Sequence, residues 1–306
     1  REQTRGLSPR DIAMNVALTE LDGRIMTRAV AFKGLVRRDE SAEADIFGYL
    51  PAPDRLRYVA ALAAAWAQLR RTPPRERRVA LVLANYPNRD GRIANGVGLD
   101  TPESVVTILA ALEKAGYHVV DRPQNGAALI DGLLAGPTND IWHQMSRRVT
   151  EEIKLSEYSI FFGQLPRDLQ ARVLERWGPP ERDPSFRPGE LDCGSFAIAA
   201  LRFGNIVVGL QPARGYNIDP ASSYHDPALV PPHSYLAFYA WLRDCFGAHA
   251  IVHVGKHGNL EWLPGKAIAL SQSCWPEAAL GALPNLYPFI VNDPGEGTQA
   301  KRRTSA

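Results

Sequence analysis

Hydrophobic positions along the chain change their period several times, and each change predicts an element. From Asp54 to Arg71 the residues Leu56, Val59, Leu62, Ala63, Trp66 and Leu69 recur at the spacing of one helix face, and Thr72-Pro73-Pro74 stops the pattern. Residues 78–84 (RVALVLA) are instead continuously apolar, as a strand buried on both faces is, and a polar, glycine-bearing turn over 85–100 follows. Thr101 is suited to cap the next helix and Pro102 to its first turn, while Val105, Ile108, Leu109 and Leu112 form its apolar stripe. Gly116 closes that helix, and Tyr117 to Val120 supply a further strand. Strand, turn, helix and strand within about forty residues make a βαβ unit, which implies a parallel sheet.

Further helices are predicted around 127–134 and 167–177, and the four prolines between Gly178 and Gly189 mark an internal boundary. Beyond it, Phe196 to Phe203 and Ile206 to Leu210 read as two strands of a hairpin turning at Gly204-Asn205. Ser234 to Phe246 is in helical phase, and residues 248–254 (AHAIVHV) form another buried strand. The charged stretch Arg37 to Asp45, followed by Pro51 and Pro53, reads as a loop. The predicted fold class is α/β, with parallel-sheet βαβ (Rossmann-like) elements carrying helices on both faces, plus a second α/β region that bears a hairpin and the site loops. Its divisions are a helical and loop lead-in (1–75), a βαβ domain (76–178) and an α/β site region (190–306).

Composition narrows the function classes. Of 306 residues, 45% are hydrophobic and 22% charged, enough apolar mass for a substantial core, and 35 basic against 33 acidic residues leave a net charge of only +2. That balance calls for neither nucleic acid nor an anionic membrane as partner. Cys193, Cys245 and Cys274 are far apart and form no C-x-x-C pair, so no disulfide framework or thiolate zinc site is expected, and a reducing cytoplasm fits. No apolar run reaches the 18 to 20 or so residues of a membrane span, and the first residues show no charged segment followed by an apolar signal core. The chain begins at Arg1 without methionine and ends at Ala306 just after a basic stretch, which reads as an internal fragment cut at both ends.

Ligands of open parallel sheets bind beyond the carboxyl ends of the strands. At such a place, directly after the 248–254 strand, His253, Lys256, His257, Asn259 and Glu261 fall within nine residues, flanked by Gly255 and Gly258. The spacing of His253, His257 and Glu261 offers imidazole and carboxylate ligands for a divalent transition ion, although the glycines argue against a helical metal face. A second polar segment, residues 211–220 (QPARGYNIDP), follows the hairpin strand: Arg214 is suited to a carboxylate and Tyr216 to a flat ring. Residues 287–303 join an apolar strand to an acidic turn and a basic helix start, whose polar groups need do no more than cap and solubilise it. The phosphate-loop and dinucleotide glycine motifs are absent, as is H-E-x-x-H.

Residues 253–266 (HVGKHGNLEWLPGK) and 283–303 (LPNLYPFIVNDPGEGTQAKRR) resemble the signature of the large, tetrapyrrole-binding subunits of aerobic ATP-dependent cobaltochelatases (CobN type), which are related to the large subunits of magnesium chelatases. Lys256, Asn259, Trp262 and the stretch from Ala213 to Asp219 fall on the cobalt side of that family. The likeness is densest over 190–303, extends more loosely to 78–120 and adds little over 1–55. It implies insertion of Co²⁺, as substrate, into hydrogenobyrinic acid a,c-diamide, with MgATP hydrolysed on an AAA+ ATPase subunit and its companion. Under this resemblance Glu261 is the expected base or transient metal ligand, and His257 the second catalytic candidate, with His253 beside them as a metal ligand. Arg214, Tyr216, Lys256, Asn259 and Lys266 are expected to bind the ring. The alternatives are a magnesium chelatase acting on protoporphyrin IX, a non-catalytic tetrapyrrole carrier, and an unrelated α/β binding module.

Overall fold

The computed structural model describes residues 7–84, 90–94, 96, 98–140, 142, 144–190, 193–215, 228–255, 258–288 and 294–304. Two helical turns, Pro9–Ile12 (α1) and Leu18–Leu21 (α2), open the described chain, and an antiparallel hairpin follows, Ala31–Asp39 (β1) with Ala44–Pro51 (β2). The expected loop over 37–45 is thus mostly ladder. Its charges pair across the strands, Arg38 with Asp45 at 3.2 Å, and Asp39 accepts from Ser41 to shape the short turn. The predicted first long helix is present as Pro53–Arg71 (α3).

Val79–Leu83 (β3) is buried at every position, as its unbroken apolar run requires. Thr101–Lys114 (α4) follows, and here Asp100 rather than Thr101 is the cap, accepting from the Glu103 amide at 3.1 Å. Gly126–Ala135 (α5) is capped by Asn125. Tyr117 to Val120, expected as the next strand, joins no sheet; its His118 carbonyl instead accepts from the Asn205 amide at 2.9 Å. The βαβ unit is therefore not closed locally. Each side of β3 takes a strand from far along the chain that buries both its faces, which the half-exposed 117–120 stretch does not.

The chain then builds Glu151–Lys154 (β4), Leu155–Gln164 (α6), Arg167–Trp177 (α7), Phe186–Arg187 (β5), Ser195–Ile198 (β6), Ala200–Phe203 (β7) and Ile206–Leu210 (β8). The hairpin turns at Gly204 (φ +69°) as expected, but only β7 pairs with β8. Upstream of Ala199 the strand leaves for a separate antiparallel sheet of order β4-β6-β5. His233–Ala240 (α8), Ala250–Val254 (β9), Trp275–Leu280 (α9), Asn285–Leu286 (β10) and Pro294–Arg303 (α10) complete the fold.

The main sheet has the order β10-β9-β3-β8-β7, with β10, β9, β3 and β8 parallel and β7 antiparallel at the edge. Successive β3 residues face opposite ways. Val79, Leu81 and Leu83 pack with Val105 and Leu109 of α4 and Leu129 and Leu133 of α5, whereas Ala80 and Val82 share the other core with Tyr235 to Leu242, Tyr158 and Phe161. Helices do cover both faces. The 76–178 stretch contributes the middle strand of this sheet and the 190–306 stretch its other four. Among the described residues no helix is long and apolar enough to cross a membrane.

Candidate functional site

Register places the site. Leu83 pairs with both Leu210 and Val254, so β3, β8 and β9 end level, and the loops leaving β8 and β9 start on either side of the β3 terminus. Gly255 has a φ of +150° and lies where an added Cβ would collide with Ala84, so the turn out of β9 needs a glycine. Lys256 and His257 of this loop, and Tyr216 of the other, lie outside the described residues.

Glu261 sits in a 3-10 turn, Leu260–Trp262, and is buried, with 4% of its surface exposed. Burial pushes its carboxyl pKa up to about 7, against the opposing pull of its own amide, the Gly258 amide and the Tyr287 hydroxyl. Tyr287 donates to Glu261 Oε1 at 3.4 Å and accepts from the Gly258 amide at 2.7 Å, and its ring meets His253 edge-on at 4.4 Å. His253 projects from β9 on the same side. A Cβ on Gly258 would lie 2.9 Å from Glu261 Oε2 and 3.1 Å from His253 Nε2, so the glycine lets carboxylate, imidazole and phenol crowd around one backbone atom. The result is a buried acid–base group able to exchange a proton near neutrality.

The backbone of this turn is held from α10. Arg303, itself buried, donates to the carbonyls of Glu261, Leu263 (2.7 Å) and Lys266 (2.9 Å), and Gln299 adds a second donor to Glu261 O at 3.2 Å. The basic helix end thus anchors the turn, beyond the capping and solubilising expected of it. Nothing local in the sequence points to this, since Arg303 lies some forty residues from its acceptors.

Sequence-predicted residues divide. His253, Asn259, Glu261 and Arg214 come together: Arg214 is 4% exposed and interacts electrostatically with Tyr235 and Arg303, which also feel Glu261. Asn259 is turned inward, accepting from Tyr235 at 2.8 Å and donating to Pro212 O at 2.8 Å, so its amide serves the protein itself. Lys266 stands apart on the surface with its ammonium 3.1 Å from Ser271 Oγ. Among the described residues no group of three or more His, Cys, Asp or Glu is placed to hold a metal; of the expected trio, His253 and Glu261 are described. The sequence reading missed Tyr287, Gln211, Tyr235 and Tyr239. The last two, spaced i and i+4 on α8, are polar tips on an otherwise buried face, a signal that was legible.

The whole chain, residues 1–306, matches the model of the CobN/Magnesium Chelatase family. It is 60% identical over 302 residues to the aerobic cobaltochelatase subunit CobN of Sinorhizobium sp., which covers 99% of this chain and 23% of that protein. To the corresponding magnesium-chelatase subunit of Chlorobaculum parvum it is 37% identical over 303 residues, 97% of this chain and 22% of that protein. The fold is similar to that of the catalytic subunit of cobaltochelatase from Mycobacterium tuberculosis, with a TM-score of 0.83 and 46% identity over 97% of this chain and 24% of that one. The chain thus spans about a quarter of the length of these relatives.

Proposed function

The chain belongs to the CobN/magnesium chelatase family, and from that premise we propose that it carries the proton-accepting part of a cobaltochelatase site. The reaction would insert Co²⁺ into hydrogenobyrinic acid a,c-diamide in aerobic cobalamin biosynthesis. Inserting a metal into a tetrapyrrole-derived ring displaces inward-pointing N–H protons as N–metal bonds form, and a base close to the ring must take them. Glu261 is that base. The observation that carries the reading is its buried carboxyl, with a pKa of about 7, at the carboxyl end of a parallel sheet beside His253 and Tyr287. A carboxylate of ordinary acidity would hold a proton too weakly at neutral pH to accept one efficiently.

His253 and His257 would receive the ion as it sheds water, and Arg214, Tyr216 and Lys256 would meet the carboxylates and face of the ring. With no phosphate-loop motif in this chain, MgATP would be hydrolysed by an AAA+ ATPase partner and its companion subunit. The higher identity to a cobaltochelatase subunit than to a magnesium-chelatase subunit supports cobalt and a corrin precursor over magnesium and porphyrin.

The test is an absorbance titration of the full-length subunit with hydrogenobyrinic acid a,c-diamide and, in parallel, protoporphyrin IX, followed by insertion assays with the ATPase partners. Saturable binding of the corrin precursor is expected, with Glu261→Gln binding it but inserting cobalt about 10²- to 10⁴-fold more slowly. Porphyrin preference would move the protein to the magnesium branch, and ring binding without turnover would make it a carrier.

A further inference from the structure

Two loops carry the site, and they leave strands that are not neighbours, because β3 runs between β8 and β9. They are tied to one another reciprocally across its end. Gln211, the residue after β8, accepts the Asn259 amide on its side-chain oxygen at 3.0 Å; Asn259, on the loop after β9, donates its side-chain amide to the Pro212 carbonyl at 2.8 Å. Each side chain therefore holds the other loop's backbone. The remaining ends of both amides are engaged from α8: Gln211 donates to the Tyr239 hydroxyl at 3.0 Å, and the Tyr235 hydroxyl donates to Asn259 at 2.8 Å. Asn139 braces the first loop, donating to Gln211 O at 3.0 Å and accepting from the Ala213 amide at 3.2 Å. Gln211 and Asn259 are 2% and 5% exposed, so these bonds form in a low-dielectric interior where leaving one unmade is costly.

The spacing gives the clasp its meaning. Pro212 is two residues before Arg214, and Asn259 is two residues before Glu261, with the Asn259 carbonyl accepting the Trp262 amide at 3.2 Å in the turn that carries Glu261. We propose that Gln211 and Asn259 are positioning residues that lock the Arg214 loop and the Glu261 turn into one register, so that a ring carboxylate held by the first loop fixes the ring nitrogens relative to the base on the second. This rests on the reading of Glu261 as the base. Asn259 then serves insertion through Glu261, without touching the ring.

The experiment measures cobalt insertion by the full-length subunit with its ATPase partners, as kcat and as KM for hydrogenobyrinic acid a,c-diamide. Gln211→Ala is expected to lower kcat about 10- to 100-fold while KM changes less than about threefold, because the ring still binds but the base is out of register. Gln211→Met keeps the side-chain volume without either bond, and should lower kcat as far as Gln211→Ala does. If Gln211→Ala does not fold, Tyr235→Phe, which removes the hydroxyl that donates to Asn259, should lower kcat about threefold with KM unchanged. Wild-type kcat in Gln211→Ala, with Glu261→Gln inactive, would overturn the clasp and leave the base standing. Recovery of the rate in Gln211→Met, or a rise in KM that matches the fall in kcat, would overturn it too, by reducing Gln211 to packing or to ring binding. Full activity of Glu261→Gln would instead remove the base reading on which the clasp depends.

Discussion

Residues 31–71 and the central sheet are both rich in apolar residues, yet they cover them to different degrees. Every β3 residue is buried, and β8 likewise, whereas Phe32, Leu35, Val36, Phe47, Tyr49 and Leu50 of the β1–β2 hairpin are all exposed, Tyr49 by 79%. The 19-residue helix α3 has a clear apolar stripe and not one buried residue. Periodicity thus identified the type of helix α3 and strand β3 equally well, but burial separated them. A repeating pattern states which face of an element is apolar; the energy is gained only where another element covers that face.

Truncating apolar side chains in the two regions of the full-length protein and reading local opening by amide hydrogen exchange measures how much each burial stabilises. Leu81→Ala, at a site with no exposure, should lower the opening free energy of the β3 amides by about 3 kcal/mol. A loss below about 1 kcal/mol would mean that the sheet is not the stable centre.

The site at the end of that sheet provides the next contrast, because there burial destabilises. Folded Glu261 keeps its proton up to about pH 7, while the unfolded chain releases it near the usual 4.5. Between those values the native state binds more protons, so stability falls as pH rises and levels off above 7, a loss on the order of 3 kcal/mol. Glu261→Gln has no proton to lose. The variant should therefore gain on the wild type from pH 4.5 to 7 and hold the advantage at pH 8, and parallel stability curves would show that the carboxyl is not buried in solution.

Arg303→Met should weaken protection of the Leu260–Leu263 amides by about 2 kcal/mol, since it strips charged donors from the carbonyls of Glu261 and, just after the turn, of Leu263 and Lys266. The same change should leave the hairpin amides untouched. Smallest of all, Phe47→Ala on the hairpin should change stability by less than about 0.5 kcal/mol wherever its side chain meets only solvent. A loss above about 2 kcal/mol would show that this face is covered in the full-length protein.

Much of the candidate site was legible because the chemistry of the Gly255 loop is local. A β-rich apolar run that ends in glycine, followed by histidine, asparagine and glutamate, already places polar groups at a strand terminus, and the motif carried its family with it. Roles within the loop were less legible. Asn259 and Lys266 look alike as polar loop residues, but one is claimed by Tyr235 and Pro212 and the other lies at the surface.

By itself the sequence determined the buried strands β3, β8 and β9, the extents of α3, α4 and α7, the Gly204 turn and the position of Glu261 after a strand. These follow from side-chain periods and backbone preferences that act within a few residues. The tertiary structure alone decided that β8 and β9, not residues 117–120, flank β3, that Ser195–Ile198 joins a second sheet, and that Gln211 and Arg303 reach the Glu261 turn. It also decided the proton affinity of Glu261. Strand partners, hydrogen bonds and desolvation there come from residues tens to more than a hundred positions apart, and no local period encodes which of them will meet.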